Sequence, residues 1–323
     1  NTMISGLCES PLTFQAITIW RDELLNESLR IDGHVGGETK QHAQDIVAIW
    51  PPGFPQNVEY SFSSLTFDKY IFEIAEDRLK LWDKSEGCAL FQSGMAAITT
   101  TILELTRPNT LILHSSPLYG GTDHFIEEVL PKYNIKSMYF DSMKSLKSII
   151  EKKNKEFPNL EVSLVYIESP ANPTNSIVDI EKSKQLADHF STKKDKVYVA
   201  IDNTFMGPVF SHPIDHGADV VLYSATKYIG GHSDLVAGAA CGSNEVISRI
   251  KTLRVFMGNM ASPFTSWLIL RSLETLKLRM EKSAENASKI AEKLKSHKNV
   301  DKVHYLGLVS KDSPEYEIIQ KQY

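Results

Sequence analysis

Short apolar runs alternate with longer helix-like segments through the middle of the chain. Runs rich in β-branched residues, typical of buried strands, occur at four places: 111–115, 162–169, 197–202 and 219–224. Between them we expect helices near 94–106, 120–131 and 179–190, the last with Asp179 as its N-cap. This alternation predicts βαβ crossovers, and hence an α/β fold with a mostly parallel sheet covered by helices on both faces.

The two ends of the chain lack this alternation. Residues 1 to about 65 are irregular, and Gly/Pro clusters at 33–37 and 50–55 indicate loops and an extended arm. After about residue 244 the strand signal fades and a long helical region begins. One apolar stripe on a charged helix is predicted there, formed by Ala284, Ala287, Ile290, Ala291 and Leu294. A candidate strand follows at 300–308.

These changes in pattern predict three parts. Residues 1–60 form an N-terminal arm, and residues 61–255 form a large α/β domain. Residues 256–323 contain a linking helix and the start of a smaller C-terminal α/β domain, so a domain boundary falls near 250–265.

Composition narrows the classes of function. With 323 residues, of which 42% are hydrophobic, the chain can bury a large core. A net charge of −5 gives no general electrostatic reason to bind nucleic acid or an anionic membrane. Cys8, Cys88 and Cys241 are far apart and form no CxxC pair, which argues against a disulfide framework and a metal site of the structural zinc type. No stretch is long and apolar enough to span a membrane, so we expect a soluble, cytoplasmic protein.

Four common motifs are absent from the sequence: GxGxxG after a strand, GxxxxGK[ST], HExxH and GxSxG. Their absence argues against a dinucleotide dehydrogenase, a P-loop NTPase, a zincin and an α/β-hydrolase.

Lys227 and Asp202 lie at the carboxyl ends of two predicted strands. Active-site groups of open α/β sheets collect at these ends. A lysine that is partly desolvated there can lose its proton and form a Schiff base with an aldehyde cofactor. A neighbouring carboxylate could pair with a protonated ring nitrogen. Each residue also has a purely structural interpretation. Lys227 could be a solvated lysine at the start of a loop, and Asp202 could cap the turn that follows its strand.

Further candidates lie at other strand ends and helix starts. The segment Ser93–Ala97 opens a helix whose free N–H groups suit a phosphate, and the hydroxyls of Ser224 and Thr226 could bind the same anion. Tyr119 could stack on a planar ring, and the Asn172 amide could bind a ring phenolate oxygen. Ordinary packing and an Asn-Pro turn are the alternatives for these two. Together the signals fit one cofactor with a phosphate, a ring nitrogen and an aldehyde, which is pyridoxal 5′-phosphate (PLP).

Six segments resemble the Cys/Met-metabolism family of PLP enzymes: QSGMAA, LYGGT, ESPANPT, AIDNTF, HGADVVLYSATKYIGGHSDLVAG and SPFTSWLILRSLETLKLRMEKSAENA. This family includes cystathionine γ-synthase, cystathionine γ- and β-lyases, methionine γ-lyase and O-acylhomoserine sulfhydrylases. The resemblance covers roughly residues 56–323. It implies the fold type I architecture, with a mostly parallel seven-stranded sheet and a smaller C-terminal α/β domain. It also implies a homo-oligomer of paired dimers whose active sites are shared between subunits.

The resemblance also implies roles for individual residues. Lys227 matches the lysine that forms the internal aldimine and then moves protons during catalysis. Asp202 matches the partner of the pyridine nitrogen, and Asn172 a contact to the ring oxygen. Tyr119 matches a tyrosine that stacks on the ring and takes part in proton transfer. The positions that match phosphate ligands are Tyr60, Gly94, Met95, Ser224 and Thr226, of which Tyr60 reaches the neighbouring subunit's cofactor.

Three features depart from the family pattern. The arginine that usually follows two residues after Tyr60 is Phe62 here, which removes a charge-assisted phosphate contact worth about 1.5–3 kcal/mol. Gly121 stands where methionine γ-lyases carry cysteine, which argues against that assignment. The family's arginine for the substrate carboxylate lies downstream of Tyr323, so we expect the sequence to be incomplete at this end.

We therefore expect a PLP-dependent enzyme whose small-molecule partner is a sulfur amino acid or an activated homoserine, eliminated or substituted at Cγ or Cβ. The segments LYGGT and SATKYIGGHSD favour the cystathionine γ-synthase/γ-lyase side. Methionine γ-lyase and O-acylhomoserine sulfhydrylase are the alternatives within the family. A catalytically impaired paralogue that acts as a binding or scaffold protein is the alternative outside it. Phe62 motivates this last alternative, whereas the intact Lys227, Asp202 and Tyr119 argue against it.

Overall fold

The computed structural model describes residues 64–323, with side chains from residue 71 onward. Residues 75–323 form one compact unit. Residues up to 74 belong to a second unit, of which the described part is only the beginning of helix α1 (Ser64–Trp82). The predicted arm, Tyr60 and Phe62 therefore lie outside the described residues, and the predicted boundaries at 60 and 255 stay predictions.

A single mixed sheet organises the larger unit. Its seven strands, as far as the chain is described, are β1 (Gly87–Phe91), β2 (Thr110–His114), β3 (Ile135–Tyr139), β4 (Glu161–Glu168), β5 (Tyr198–Asp202), β6 (Val220–Tyr223) and β7 (Gly238–Gly242). Their order across the sheet is β1-β7-β6-β5-β4-β2-β3. Neighbours pair in parallel except at β7, which is antiparallel to both β1 and β6. The prediction of a mostly parallel, seven-stranded α/β sheet is confirmed.

Helices connect and flank these strands. The longer ones after α1 are α2 (Gly94–Leu105), α3 (Leu146–Glu156), α4 (Ile180–Phe190), α5 (Asn244–Met257), α6 (Pro263–Leu273), α7 (Leu276–Lys295) and α8 (Pro314–Gln322). Short helical turns occupy Gly120–His124, Phe125–Val129, Leu130–Tyr133, Gly207–Phe210, Pro213–His216 and Leu306–Leu308. The predicted cap of α4 is present, since the Asp179 carboxylate accepts the Lys182 N–H at 2.9 Å. Among the described helices, none combines the length and apolar character needed to cross a membrane.

Burial and composition together explain which strands could be predicted from the sequence. Strands β2, β5 and β6 are buried at every position, and such strands appear in a sequence as continuous apolar runs. Strands β1 and β7 are equally buried but consist largely of glycine, alanine and cysteine, which have low or neutral strand propensity. These two strands and β3 were not predicted.

The region after α5 differs from expectation in two ways. The predicted strand at 300–308 is wrong: this segment is irregular and ends in the turn Leu306–Leu308. A strand needs a neighbour to satisfy its backbone groups, and no described strand pairs with it. The predicted helix is present as α7, but most of its apolar stripe is exposed, with Ile290 at 58% and Leu294 at 39%.

A buried polar network joins the end of α1 to the ends of strands β5 and β6. The Tyr223 hydroxyl donates to the Asp83 carboxylate at 2.7 Å and accepts from the Asn203 amide at 3.1 Å. Asp83, Asn203 and Tyr223 are each at most 1% exposed. Burial raises the pKa of Asp83 from 3.8 to about 6, although the hydrogen bond from Tyr223 opposes the rise. The ionised form of Asp83 is therefore destabilised in the folded chain.

Asp83→Asn is expected to change how stability depends on pH. Because folding raises the pKa of Asp83, the contribution of this residue to wild-type stability is fully present below pH 3.8 and is lost as the pH rises through about 6. The variant lacks this loss, so its free energy of unfolding relative to wild type should rise by about 2–3 kcal/mol between pH 4 and pH 8. Urea unfolding at both pH values measures this difference. The half-exposed Asp195, replaced in Asp195→Asn, is the control, and an equal pH response of both variants would contradict the prediction.

Candidate active site

One large cavity of about 1170 Å³ lies at the carboxyl edge of the parallel strands. Strands β4 and β5 end side by side at Glu168 and Asp202, and β6 leads into Ser224. Eight of the nine predicted site residues line this cavity: Gly94, Met95, Tyr119, Asn172, Asp202, Ser224, Thr226 and Lys227. The ninth, Tyr60, lies outside the described residues. The fold thus brings together residues that are up to 133 positions apart, from Gly94 to Lys227.

The start of α2 forms one wall of the cavity. Ser93 caps this helix, because its hydroxyl accepts the Ala96 N–H at 3.0 Å. The N–H groups of Gly94 and Met95 have no partner within an α-helix, and the helix dipole places partial positive charge beside them. A Cβ on Gly94 would lie 2.8 Å from Cβ of Ser224, so glycine is required for this close approach. The helix start and the Ser224 loop therefore form one compact cradle suited to a phosphate.

Strand β7 supports this cradle from behind. A Cβ on Gly238 would lie only 2.1 Å from the Ser93 carbonyl oxygen and 2.9 Å from Cα of Gly94. The absence of a side chain lets β7 pass directly beneath the helix start. This role of Gly238 was not predicted from the sequence.

Asp202 is held at the floor of the cavity by its own loop. Its carboxylate accepts the Thr204 N–H at 3.0 Å, and the Thr204 hydroxyl in turn accepts the Ser224 N–H at 2.8 Å. Burial raises the pKa of Asp202, while the hydrogen bonds from Thr204 oppose this rise. A cationic group beside Asp202 would offset the cost of the buried charge. Thr204 was not predicted, and it links the carboxylate to the phosphate cradle.

Lys227 and Thr226 differ from expectation in their surroundings. Lys227 follows the Ser224 turn, in which its N–H donates to the Ser224 carbonyl at 3.0 Å, but the residue is exposed instead of partly desolvated. The Thr226 hydroxyl is within 3.1 Å of the carbonyl and 3.0 Å of the N–H of Ala237, so it ties two backbone segments together.

Glu168 is a site residue that was not predicted. One carboxylate oxygen accepts the Tyr119 N–H at 2.6 Å, and the other accepts the Asn172 N–H at 2.9 Å. Burial, and then the charge of Asp202, raise the pKa of Glu168 to about 7. The rule that identified Asp202, a carboxylate at the end of a predicted strand, applies equally to Glu168.

Arg279 of α7 also lines the cavity. Its guanidinium donates to the carbonyls of Tyr228 at 2.8 Å, Ile229 at 3.2 Å and Ser272 at 2.9 Å. Burial lowers the pKa of this guanidinium. The arginine therefore fastens the loop after Lys227 to α7, and nothing in the local sequence pattern indicates this contact.

These features fit a cofactor that carries a phosphate and a cationic ring. The glycine-lined cradle suits the phosphate, and the buried Asp202 carboxylate suits a protonated ring nitrogen. Tyr119, 48% exposed, and Asn172 line the same cavity and are available to a ring. Lys227 supplies a primary amine on the same wall as Ser224.

Comparisons with known proteins show the family to which the chain belongs. Residues 67–323 match the family described as Cys/Met metabolism PLP-dependent enzyme. The L-methionine gamma-lyase of Treponema denticola is 35% identical over 253 residues, which cover 77% of this chain and 60% of that protein. The cystathionine gamma-lyase of Homo sapiens is 35% identical over 274 residues, which cover 84% of this chain and 63% of that protein.

Solved structures give the same result. The cystathionine gamma synthase from Xanthomonas oryzae pv. oryzae, in complex with aminoacrylate and cysteine, matches with a TM-score of 0.72 at 28% identity, covering 84% of this chain and 66% of that chain. The chain thus spans between 60% and 66% of the length of these three proteins. The resemblance inferred from the sequence is confirmed, and the fold is that of the matched PLP enzymes. Since the match extends over residues 67–323, the chain belongs to the Cys/Met metabolism PLP-dependent enzyme family.

Proposed function

We propose that this protein is a PLP-dependent carbon–sulfur lyase or transferase that acts on a sulfur amino acid or an activated homoserine. One observation carries the proposal: Lys227, Asp202, Tyr119 and Asn172 line a single cavity beside the start of α2. The family relationship supports the same activity.

Each wall of the cavity has a distinct task in this proposal. When bound, PLP supplies an electron sink that accepts the charge left at Cα of an amino acid. The start of α2 and Ser224 bind the phosphate, with Thr226 supporting the loop. Asp202 pairs with the ring nitrogen and keeps it protonated. The Asn172 amide binds the ring oxygen, and Tyr119 stacks on the ring face.

Lys227 and Tyr119 handle protons. The Lys227 amine would hold the cofactor aldehyde in the free enzyme, and its Nζ would accept the proton from Cα of the substrate. The phenol of Tyr119 is the second group that can exchange a proton with the substrate or with the leaving sulfur. An exposed lysine on a flexible stem can reach more than one substrate carbon, which suits chemistry at both Cα and Cγ.

Within the family, the proposal favours the cystathionine γ-synthase/γ-lyase reactions. Gly121 supports this choice, because a Cβ there would lie 2.8 Å from the Tyr119 ring and 3.0 Å from Sδ of Met95. A cysteine at this position, as in methionine γ-lyases, would have to displace one of these two side chains. The site built here therefore differs from one that carries that cysteine.

A substrate panel tests the proposal. The purified protein, loaded with PLP, is incubated separately with cystathionine, methionine, cysteine, and an O-acylhomoserine plus cysteine, and mass spectrometry identifies the products. Breaking the Cγ–S bond of cystathionine gives cysteine, 2-oxobutyrate and ammonia, whereas breaking the Cβ–S bond gives homocysteine, pyruvate and ammonia. Replacement on the O-acylhomoserine gives cystathionine and the carboxylic acid.

The product pattern decides among the reactions. We expect turnover of cystathionine at Cγ or its formation from the O-acylhomoserine. Methanethiol from methionine, or pyruvate from cystathionine, would move the assignment to another member reaction. A protein that binds PLP but turns over none of these compounds would overturn the enzymatic proposal in favour of a binding role.

The oligomeric state and location are part of the proposal. The family resemblance supports a homo-oligomer of paired dimers with shared active sites, in which Tyr60 reaches the neighbouring subunit, and a cytoplasmic location. Light scattering coupled to size-exclusion chromatography measures the mass, and a monomer that retains full activity would contradict the shared site.

A further inference from the structure

We propose that Glu168 is a positioning residue that holds Tyr119 and Asn172 in place for the cofactor ring. This inference rests on the proposed function and adds a residue to the site. Glu168 touches neither the ring nor the substrate in this scheme; it acts through the backbones of the two residues that do.

The geometry of Glu168 is that of a clamp between two loops. Tyr119 lies in the loop after β2, and Asn172 lies in the loop after β4. Both oxygens of the single carboxylate are used, one for each backbone N–H, at 2.6 Å and 2.9 Å. Above its pKa of about 7, Glu168 is ionised, and hydrogen bonds to an ionised acceptor are about twice as strong as neutral ones. A two-oxygen acceptor therefore fixes the distance between the loops, which neither loop does by itself.

The sheet holds the clamp rigidly. Glu168 is the last residue of β4, is 5% exposed, and pairs in register with Asp202 on β5. Its own N–H donates to the Ser115 hydroxyl at 3.1 Å, and Ser115 follows β2. The carboxylate is thus anchored to strands on either side. Through Glu168, the backbones of Tyr119 and Asn172 are held at the same edge of the sheet as Asp202.

The ionised form of Glu168 is costly to bury. Desolvation and the neighbouring Asp202 oppose its ionisation, so two adjacent buried carboxylates are an expensive arrangement. A neutral residue could fill the space, but it could not accept two charge-assisted hydrogen bonds. A cationic ring nitrogen at Asp202 would lower the cost for both carboxylates.

Hydrogen exchange and cofactor binding together test the clamp. The variants are Glu168→Gln, which keeps one carbonyl acceptor, and Glu168→Ala, which keeps none. Glu161→Gln is the matched control, because Glu161 begins the same strand and its side chain is 73% exposed. In the apo protein, peptides containing Tyr119 and Asn172 should exchange faster in the order wild type, Gln, Ala. Exchange in α4 and α5 should stay unchanged.

The cofactor readout links the clamp to function. The dissociation constant for PLP, measured by equilibrium dialysis, should rise about 10-fold for Glu168→Gln and about 100-fold for Glu168→Ala, with no change for the control. Unchanged exchange at Tyr119 and Asn172 would overturn the clamp. Faster exchange with an unchanged dissociation constant would overturn its role in positioning. A uniform rise in exchange throughout the protein would show a purely structural role and overturn the proposal. If the wild type itself binds no PLP, the proposed function fails, whereas the exchange data still decide the clamp.

Discussion

Lys227→Ala is expected to abolish covalent attachment of PLP and to lower kcat by at least about three orders of magnitude. The reason is that one amine performs two tasks in the proposed site: it holds the cofactor aldehyde and exchanges the Cα proton. Two described lysines line the cavity: Lys227, three residues after Ser224, and Lys282, on α7. Lys282 is therefore the alternative attachment site that the experiment has to distinguish.

Attachment is measured directly by borohydride reduction followed by peptide mass spectrometry. The reduced adduct should map to the peptide that contains Lys227 in the wild type and be missing in the variant. Lys147→Ala is the matched control, because Lys147 is 86% exposed on α3. Since Lys227 is exposed, its loss should change the free energy of unfolding by no more than about 0.5 kcal/mol. An adduct that persists in Lys227→Ala would assign the attachment to another lysine.

Glu76→Ala is expected to give a large loss of stability, about 3–5 kcal/mol in the free energy of unfolding. The Glu76 carboxylate, on α1 and within the compact unit of residues 75–323, forms ion pairs with both Arg254 and Lys251. Its Oε1 accepts from Arg254 at 2.6 Å and from the Leu90 N–H at 2.8 Å, and its Oε2 lies 2.5 Å from Nζ of Lys251. The side chains of Glu76 and Arg254 are 4% and 5% exposed. Removing the carboxylate takes away the counter-charge that Glu76 provides to the buried Arg254 guanidinium, and it also removes the acceptor of the Leu90 N–H.

Urea unfolding followed by circular dichroism measures this loss. Glu161→Ala is the control, since its ion pair with Arg107 is exposed at 73% and 45% and should contribute no more than about 1 kcal/mol. Glu76→Gln should fall between the two, because a carbonyl oxygen remains for the Leu90 N–H or Arg254. A loss below about 1 kcal/mol for Glu76→Ala would show that Glu76 does not tie α1 to β1 and α5.

The positions of the strand ends were predictable because the carboxyl ends of parallel strands all lie at the same edge of the sheet. Buried parallel strands appear as continuous apolar runs, and residues that follow them meet at one edge. This rule predicted that Asp202, Asn172, Ser224 and Lys227 lie at strand ends, and all four line the cavity. The same rule would have included Glu168, had it been applied to every carboxylate at a strand end.

The remaining site features depend on contacts between distant segments. Gly238 permits β7 to approach Ser93, and Arg279 fastens the loop after Lys227, yet neither stands out among its sequence neighbours. The exposure of Lys227 likewise differs from the partial desolvation that its position after a strand suggested. Strands rich in glycine and alanine, such as β7, carry no apolar run, so their place in the sheet depends on pairing.

The sequence by itself determined the α/β class, the family resemblance and the set of residues that could hold a phosphate, a ring nitrogen and an aldehyde. Periodicity and strand-end position are local properties, so a linear pattern can carry them. Only the tertiary structure decided that Glu168 joins Tyr119 to Asn172, that Thr204 joins Asp202 to Ser224, and that the segment at 300–308 is not a strand. The physical reason is that hydrogen bonds and strand pairing join groups far apart in the chain, and their energy exists only once the fold brings them together.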